Sequence, residues 1–423
     1  MFPLYTVVRI VHYALWQADS LHRAAAHYGI RKVKNLLLIM IYLVFFSVGL
    51  PNSMLGAAWP SIQGELSASA EWMGVIAAIC AGGTILSSLL CVRIVNRLGT
   101  SRTIFYSLLL TVVGLIGYLA ASSPYMICAA SLLIGSSAGC LVAALNAYLS
   151  LHYEARHLNW VHCFWGVGSM VGPALLTLSY QMNHTWRGGY VFAACCVGLI
   201  SVFFTFTLPR WKASRASSEN VGDSAAEGFV SNGEAMRMPG VKTILLLFLS
   251  YYAAESCMTL WITSFAGEVY ALSESQAALM SSLFFLGITA GRGVSGFVNM
   301  RFSSFTLVRC SVILMLTGIL VLLLGSGYIM CVIGVLLTGL GCASINPCIV
   351  HELPMLVGRR ASQSVTALQQ AASSLGSMLM PLVTGFLFGR LGVALMPWWM
   401  LCFAAALFIL LRMVERRRNT KVN

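Results

Sequence analysis

Residues 244–261 read ILLLFLSYYAAESCMTLW, from Ile244 to Trp261. The run is apolar and long enough for a helix that crosses a bilayer, which takes about 20 residues. It lacks the alternation that marks a membrane strand. Near its middle stands Glu255. A carboxyl group at the centre of a spanning helix costs about 2.5–3.5 kcal/mol on insertion scales, so such residues face a cavity or a partner rather than lipid. No other Asp or Glu of this chain lies so deep in an apolar run.

The rest of the chain repeats the apolar pattern. Of 423 residues, 58% are hydrophobic and 9% charged, where soluble domains carry about 25% charged residues. The expected fold class is therefore an all-α membrane protein, because long apolar runs satisfy their backbone in lipid only as helices. Twelve spans emerge from the hydropathy pattern. In the first half they run over 36–58, 72–94, 103–121, 125–149, 160–180 and 190–208. A polar segment rich in Ser, Ala, Glu and Gly follows over 209–240 and reads as a flexible linker. The second half runs over 243–266, 276–298, 306–325, 328–350, 366–388 and 393–411. The domain layout is thus a leading segment 1–34, a six-helix bundle 35–208, the linker, a second bundle 241–412 and a basic tail 413–423. The leading segment lacks the clean apolar core of a signal peptide, and reads as an interfacial helix or an over-extended start.

The net charge of +13 does not point to nucleic acid, because the basic residues fall between spans and at the C-terminus. Arg31, Lys32 and Lys34 precede the first span, Arg93, Arg97 and Arg102 follow the second, Arg156 the fourth, Arg301 and Arg309 the eighth, and Arg359 and Arg360 the tenth. Arg412 and Arg416 to Arg418 follow the twelfth, while the opposite loops show only Arg187 and Arg390. The positive-inside rule then puts both termini and the linker in the cytoplasm of a multi-pass cell-membrane protein. Most of the thirteen cysteines lie in spans and read as packing residues. The sequon at Asn183 sits in a very short loop and reads as a chance match. His152, His157 and His162 with Glu154 have spacings that give no single helical face for a metal. No cofactor, no metal and no catalytic constellation is expected.

The two halves are related. Gly64-Glu65 recurs as Gly267-Glu268, Glu71 as Glu274, Arg97 as Arg301, and Gly168-Ser169-Met170 with Pro173 as Gly376-Ser377-Met378 with Pro381. The offset is 203 to 208 residues throughout. Duplicated six-helix units are a transporter architecture with a solute held between them near the midplane.

Six plus six spans with a linker resemble the major facilitator superfamily. Asn96-Arg97-Leu98-Gly99 with Arg102 resembles its signature loop, with Asn96 where Asp is usual. Three stretches resemble the fucose permease-like branch: Gly49 to Pro60, Asn159 to His162 leading into Gly166 to Pro173, and Gly291 to Gly296. The resemblance implies a carrier of a sugar-like solute, whereas the branch's proton coupling and its fucose do not carry over to this chain; a single copy in the bilayer is expected. That branch's acids in the first and fourth spans would fall at Gly56 and Val142, so they are absent here.

Glu255 is then the residue expected to carry protons or to bond a polar solute, since desolvation favours the neutral form of a carboxylic acid. Its repeat counterpart is Asn52, 203 residues earlier and also within an apolar span. Tyr251 and Tyr252 flank Glu255 and offer aromatic faces to a sugar ring. Asn146, His162, Asn346, Gln369 and Gln370 lie in the cytoplasmic half, as vestibule lining or as bonds between helices. Asn96, Arg97, Arg292 and Arg301 are the candidate gating residues. Arg292 stands about six residues from the cytoplasmic end of its helix and Glu255 about 14 from that end of its own, a height difference of roughly 12 Å. That separation argues against a direct pair and leaves Arg292 to reach toward the cytoplasm. The expected site is lined by the first, fourth, seventh and tenth spans. The functional reading is a secondary transporter of a small polar solute. A multidrug-type efflux pump on the same fold and a non-transporting membrane receptor are the alternatives.

Overall fold

The computed structural model describes residues 35–153, 155–182, 184–216, 231–298 and 301–422. The leading segment 1–34, Glu154, the sequon's Asn183 and linker residues 217–230 lie outside the described residues. Among the described residues every regular element is a helix, and twelve are long and apolar enough to cross a membrane. They are α1 Asn35–Leu66, α2 Glu71–Leu98, α3 Thr100–Leu119, α4 Pro124–His152, α5 Ala155–Gln181 and α6 Trp186–Ala216 in the first half. In the second half they are α7 Val241–Glu268, α8 Glu274–Val298, α9 Ser304–Leu324, α10 Gly327–Val357, α11 Arg359–Leu391 and α12 Met396–Val422.

Several helices outrun the apolar stretch that announced them. α1 continues eight residues past Ala58 to Leu66, and α11 starts at Arg359 rather than Thr366. Hydropathy marks where side chains leave hydrocarbon, but backbone hydrogen bonding carries a helix on through polar residues. The linker is likewise not wholly irregular. α6 runs through Pro209 to Ala216, and Asn232–Arg237 form a short helix capped by Ser231 and Glu234. Two helices break. α1 is interrupted at Ser53, two residues after Pro51, whose missing N–H frees a carbonyl one turn back. The Ser53 hydroxyl then donates across to the Ser169 carbonyl of α5, at 2.6 Å. α10 breaks at Ser344, shortly before Pro347.

The duplication is written in the packing. Gly135 of α4 lies against the Cys80 carbonyl of α2, and Gly339 of α10 lies against the Phe284 carbonyl of α8. Both members of the second contact sit 204 residues after those of the first. The same offset relates Gly114 against Ile134 to Gly318 against Thr338. Gly168 meets the Phe46 carbonyl of α1 as Gly376 meets the Leu249 carbonyl of α7. Small residues let membrane helices approach to backbone contact, and here the same approaches are made twice.

The halves meet toward the end opposite the arginine-rich loops, here the far end; the other is the basic end. Gly56 of α1 faces Thr259 and Leu260 of α7 at backbone distance. Gly74 of α2 faces Pro381 of α11, and the Thr177 hydroxyl of α5 donates to the Ser275 carbonyl of α8 at 3.4 Å. At that end Arg187 ties the first half together. Its guanidinium bonds the Glu65 carboxylate and the carbonyls of Leu119 and Ala121, while the Trp186 indole donates to Glu65 at 2.6 Å.

Candidate functional site

Between the halves lies a cavity of about 410 Å³, within the range of about 300–1,000 Å³ of small-molecule sites. The second half supplies a polar wall. Tyr252, Glu255, Ser256 and Thr259 project from α7, and Gln370, Ser373, Ser374 and Ser377 from α11. Their spacings of three, four and seven residues place each set on one helical face. The first half supplies Asn52 beside the break in α1, Cys80 and Thr84 from α2, and three rings. These are Trp165, which meets Phe285 of the other half edge-on, and Tyr118 stacked on Tyr190 at 4.5 Å. The Tyr118 hydroxyl bonds Ser131, also on the wall, at 2.6 Å.

Glu255 is 8% exposed, and its Oε2 has no hydrogen-bond partner. The Thr259 hydroxyl donates to the Glu255 backbone carbonyl at 2.9 Å, which turns that hydroxyl away from the carboxylate. A buried acceptor without a donor costs about 1–3 kcal/mol or more, so this oxygen is poised for a donor from a bound molecule. Asn52, the repeat counterpart of Glu255 in sequence, lines the same cavity. Of the other expected residues, Tyr252 and Gln370 reach the wall. Gln369 does not; it is buried and donates to the Ser373 hydroxyl at 2.9 Å, setting that wall residue. Asn346 donates to the Tyr252 phenol at 2.7 Å. Tyr251 is fully buried, and its hydroxyl donates to the Cys342 carbonyl at 3.0 Å.

Two expectations are corrected here. α10 contributes no residue to the cavity, because Tyr252 stands between Asn346 and the space and takes up its amide. The walls come instead from α1 to α7 and from α11. Arg292 does not reach toward the basic end. Side chains on a helix tilt toward its N-terminus, and α8 starts at the far end, so Arg292 points to mid-membrane. Glu255 tilts the opposite way on α7. The two side chains converge to electrostatic range, though no ion pair forms between them among the described residues. Arg292 is also within electrostatic range of Tyr251, Tyr252 and, in the other half, His162 and Cys163. Its Nε is buried without a hydrogen-bond partner.

The remaining candidates stand apart from the cavity. Asn146 has a buried side-chain oxygen without a partner, and His162 packs edge-on to Phe45 at 5.6 Å. Asn96, Arg97 and Arg301 are exposed near the basic end. His157 bonds the Tyr42 hydroxyl at 2.6 Å, and His152 the Tyr148 carbonyl at 2.9 Å. Sequence reasoning missed Ser373, Ser374 and Ser377, whose periodic placement with Gln370 was the available signal.

Twelve spans in two duplicated sets about a central cavity define a membrane transporter. The sequence profile of the Major Facilitator Superfamily matches residues 41–274 and again residues 243–423. The chain belongs to the Major Facilitator Superfamily: it is a multi-pass secondary transporter and not an enzyme. The glucose/mannose transporter GlcP of Bacillus subtilis (strain 168) is 24% identical to it over 365 residues, covering 82% of this chain and 86% of that one. The multidrug resistance protein MdtG of Dickeya zeae (strain Ech586) is 27% identical over 158 residues, covering 36% of this chain and 38% of that one. The crystal structure of the nucleoside transporter NupG shares the fold, with a TM-score of 0.71 at 13% identity over 90% of this chain and 98% of that one.

Proposed function

We propose that this protein carries a small polar solute, a sugar or related metabolite, by alternating access coupled to proton symport. The observation that carries the reading is the Glu255 carboxylate, buried on the wall of a cavity between the halves with one oxygen unbonded. On this reading Glu255 takes a proton and bonds the solute, and Asn52, Gln370 and the α11 serines bond its hydroxyls. Trp165 and Tyr252 cover its apolar face. Tyr251, Asn346 and Gln369 hold the wall, and Arg292, on the neighbouring helix of the same half, senses the charge of Glu255. Asn146, His162, Asn96, Arg97 and Arg301 then belong to the gate at the basic end. The arginine distribution supports a basic end, both termini and linker facing the cytoplasm, in the cell membrane. One chain is the working unit.

The similarity to a glucose/mannose transporter supports a sugar and the fucose permease-like branch. The partial similarity to a multidrug resistance protein favours a second reading, export of amphipathic compounds. Purified protein in liposomes separates the two. Accumulation of a sugar driven by an inward proton gradient is the expected result, and extrusion of dyes without sugar uptake would support export. Glu255→Gln should abolish gradient-driven accumulation while leaving solute exchange. Accumulation by Glu255→Gln with an unchanged pH dependence refutes the proton role.

A further inference from the structure

A second concavity, of about 520 Å³, lies apart from the central cavity, on the outer side of the seam between α2 and α11. Its floor is apolar: Val75 from one half, and Leu382, Val383, Phe386 and Leu387 from the other. Phe386 is 51% exposed and Val383 44%, so the groove faces the bilayer. Its rim is charged. Glu71, on the groove itself, is the first residue of α2, and Arg390 is the penultimate residue of α11. Both therefore stand at the far-end boundary of the spans, the level of lipid headgroups.

Among the described residues neither of these charges has an ion-pair partner. The Glu71 side chain packs against the backbone of Gly389, the residue before Arg390. Among the described residues Glu71 accepts only a 3.3 Å bond from the Ser69 hydroxyl and makes no ion pair. The Arg390 guanidinium lies over the Phe386 ring, 3.9 Å from its centroid, and among the described residues has no carboxylate partner. Arg187 at the same end is by contrast fully engaged with Glu65 and two carbonyls. An open cation and an open anion over an apolar trough match one ligand chemistry: a phosphate beside an ammonium, with a hydrocarbon tail.

We propose that this groove is a binding site for a phospholipid with a primary-amine headgroup. The phosphate meets Arg390, the ammonium meets Glu71, and an acyl chain lies along Val383 and Phe386. A choline headgroup carries the same charges but no N–H to donate to Glu71. A glycerol headgroup offers Arg390 its phosphate and gives Glu71 nothing. The site is also built from both halves, and it persists only while Gly74 lies against Pro381. A ligand of one conformer shifts the population toward it, so the lipid holds the transporter closed at the far end.

The test is native mass spectrometry of the full chain offered equal phosphatidylethanolamine, phosphatidylcholine and phosphatidylglycerol. Exposed charge contacts are modest, so the expected preference for the ethanolamine lipid is about fivefold. Glu71→Gln and Arg390→Ala should each reduce it toward parity without lowering the unfolding temperature in lipid-free detergent. Arg390→Lys, which keeps the cation, should retain it. Equal retention of the three lipids, preference for phosphatidylglycerol, or a preference that survives both Glu71→Gln and Arg390→Ala overturns the proposal.

Discussion

Replacing Gly74 with alanine should open the transporter at its far end without unfolding it. A Cβ there would lie 2.2 Å from the Pro381 carbonyl oxygen and 2.9 Å from its carbon. Both are backbone atoms, so no rotamer change relieves the contact. Ordinary van der Waals contact begins at 3.4 Å, so α2 and α11 must part by roughly an ångström. Overpacking of this kind costs about 1–3 kcal/mol. Because the contact joins the two halves, that cost falls only on the conformer closed at this end. At about 1.4 kcal/mol per tenfold, the closed population drops about 5- to 150-fold relative to the open one. Gly135→Ala is the control. Its Cβ would lie 1.9 Å from the Cys80 carbonyl, but both residues belong to the same half, so every conformer bears the cost. Spin labels at Met182→Cys and Val269→Cys, exposed positions on opposite halves, read the separation. The exposed Cys195, Cys310 and Cys402 are removed first. The expected result is a longer distance population in Gly74→Ala and none in Gly135→Ala. An unchanged distance in Gly74→Ala, with a loss of thermal stability like that of Gly135→Ala, refutes the reasoning.

Further outcomes follow from the charged clusters. Arg187→Ala strips the donor from two backbone carbonyls and from Glu65. It should cost about 1–3 kcal/mol, seen as a lower unfolding temperature, while the solute KM stays near that of the parent. At the basic end Arg418 stands 3.8 Å from the buried Glu352 and lies over Phe305. Arg418→Ala leaves an acid without its counter-charge and should destabilise more than the double replacement Arg418→Ala with Glu352→Leu, a comparison that a thermal-unfolding cycle reads directly. Arg309 and Arg412 share Glu415, at 3.2 and 3.3 Å. Replacing Glu415 with glutamine should therefore loosen α9 from α12, detected as faster hydrogen exchange in the last turns of α12.

Hydropathy alone determined that this is a twelve-span helical protein, because lipid forces the backbone to close its hydrogen bonds within each span. The duplication was also legible, since repeated glycines fill repeated contacts: Gly168 and Gly376 were visible as a repeat before their partners Phe46 and Leu249 were known. Glu255 and Asn52 could be paired from sequence offset, because symmetry-related helices face one axis. Direction was harder to read. Height along a helix axis separated Arg292 from Glu255, but α7 and α8 are antiparallel and their side chains tilt toward each other. Only the tertiary structure shows that convergence. It also decides which polar residues face the cavity. Gln369 and Gln370 are neighbours in sequence, yet a helix turns about 100° per residue, so one bonds Ser373 and the other meets the space. α10 was excluded from the wall by a single side chain, Tyr252, that belongs to another helix. Such outcomes depend on how helices pack, and packing joins residues whose separation in the chain carries no local signal.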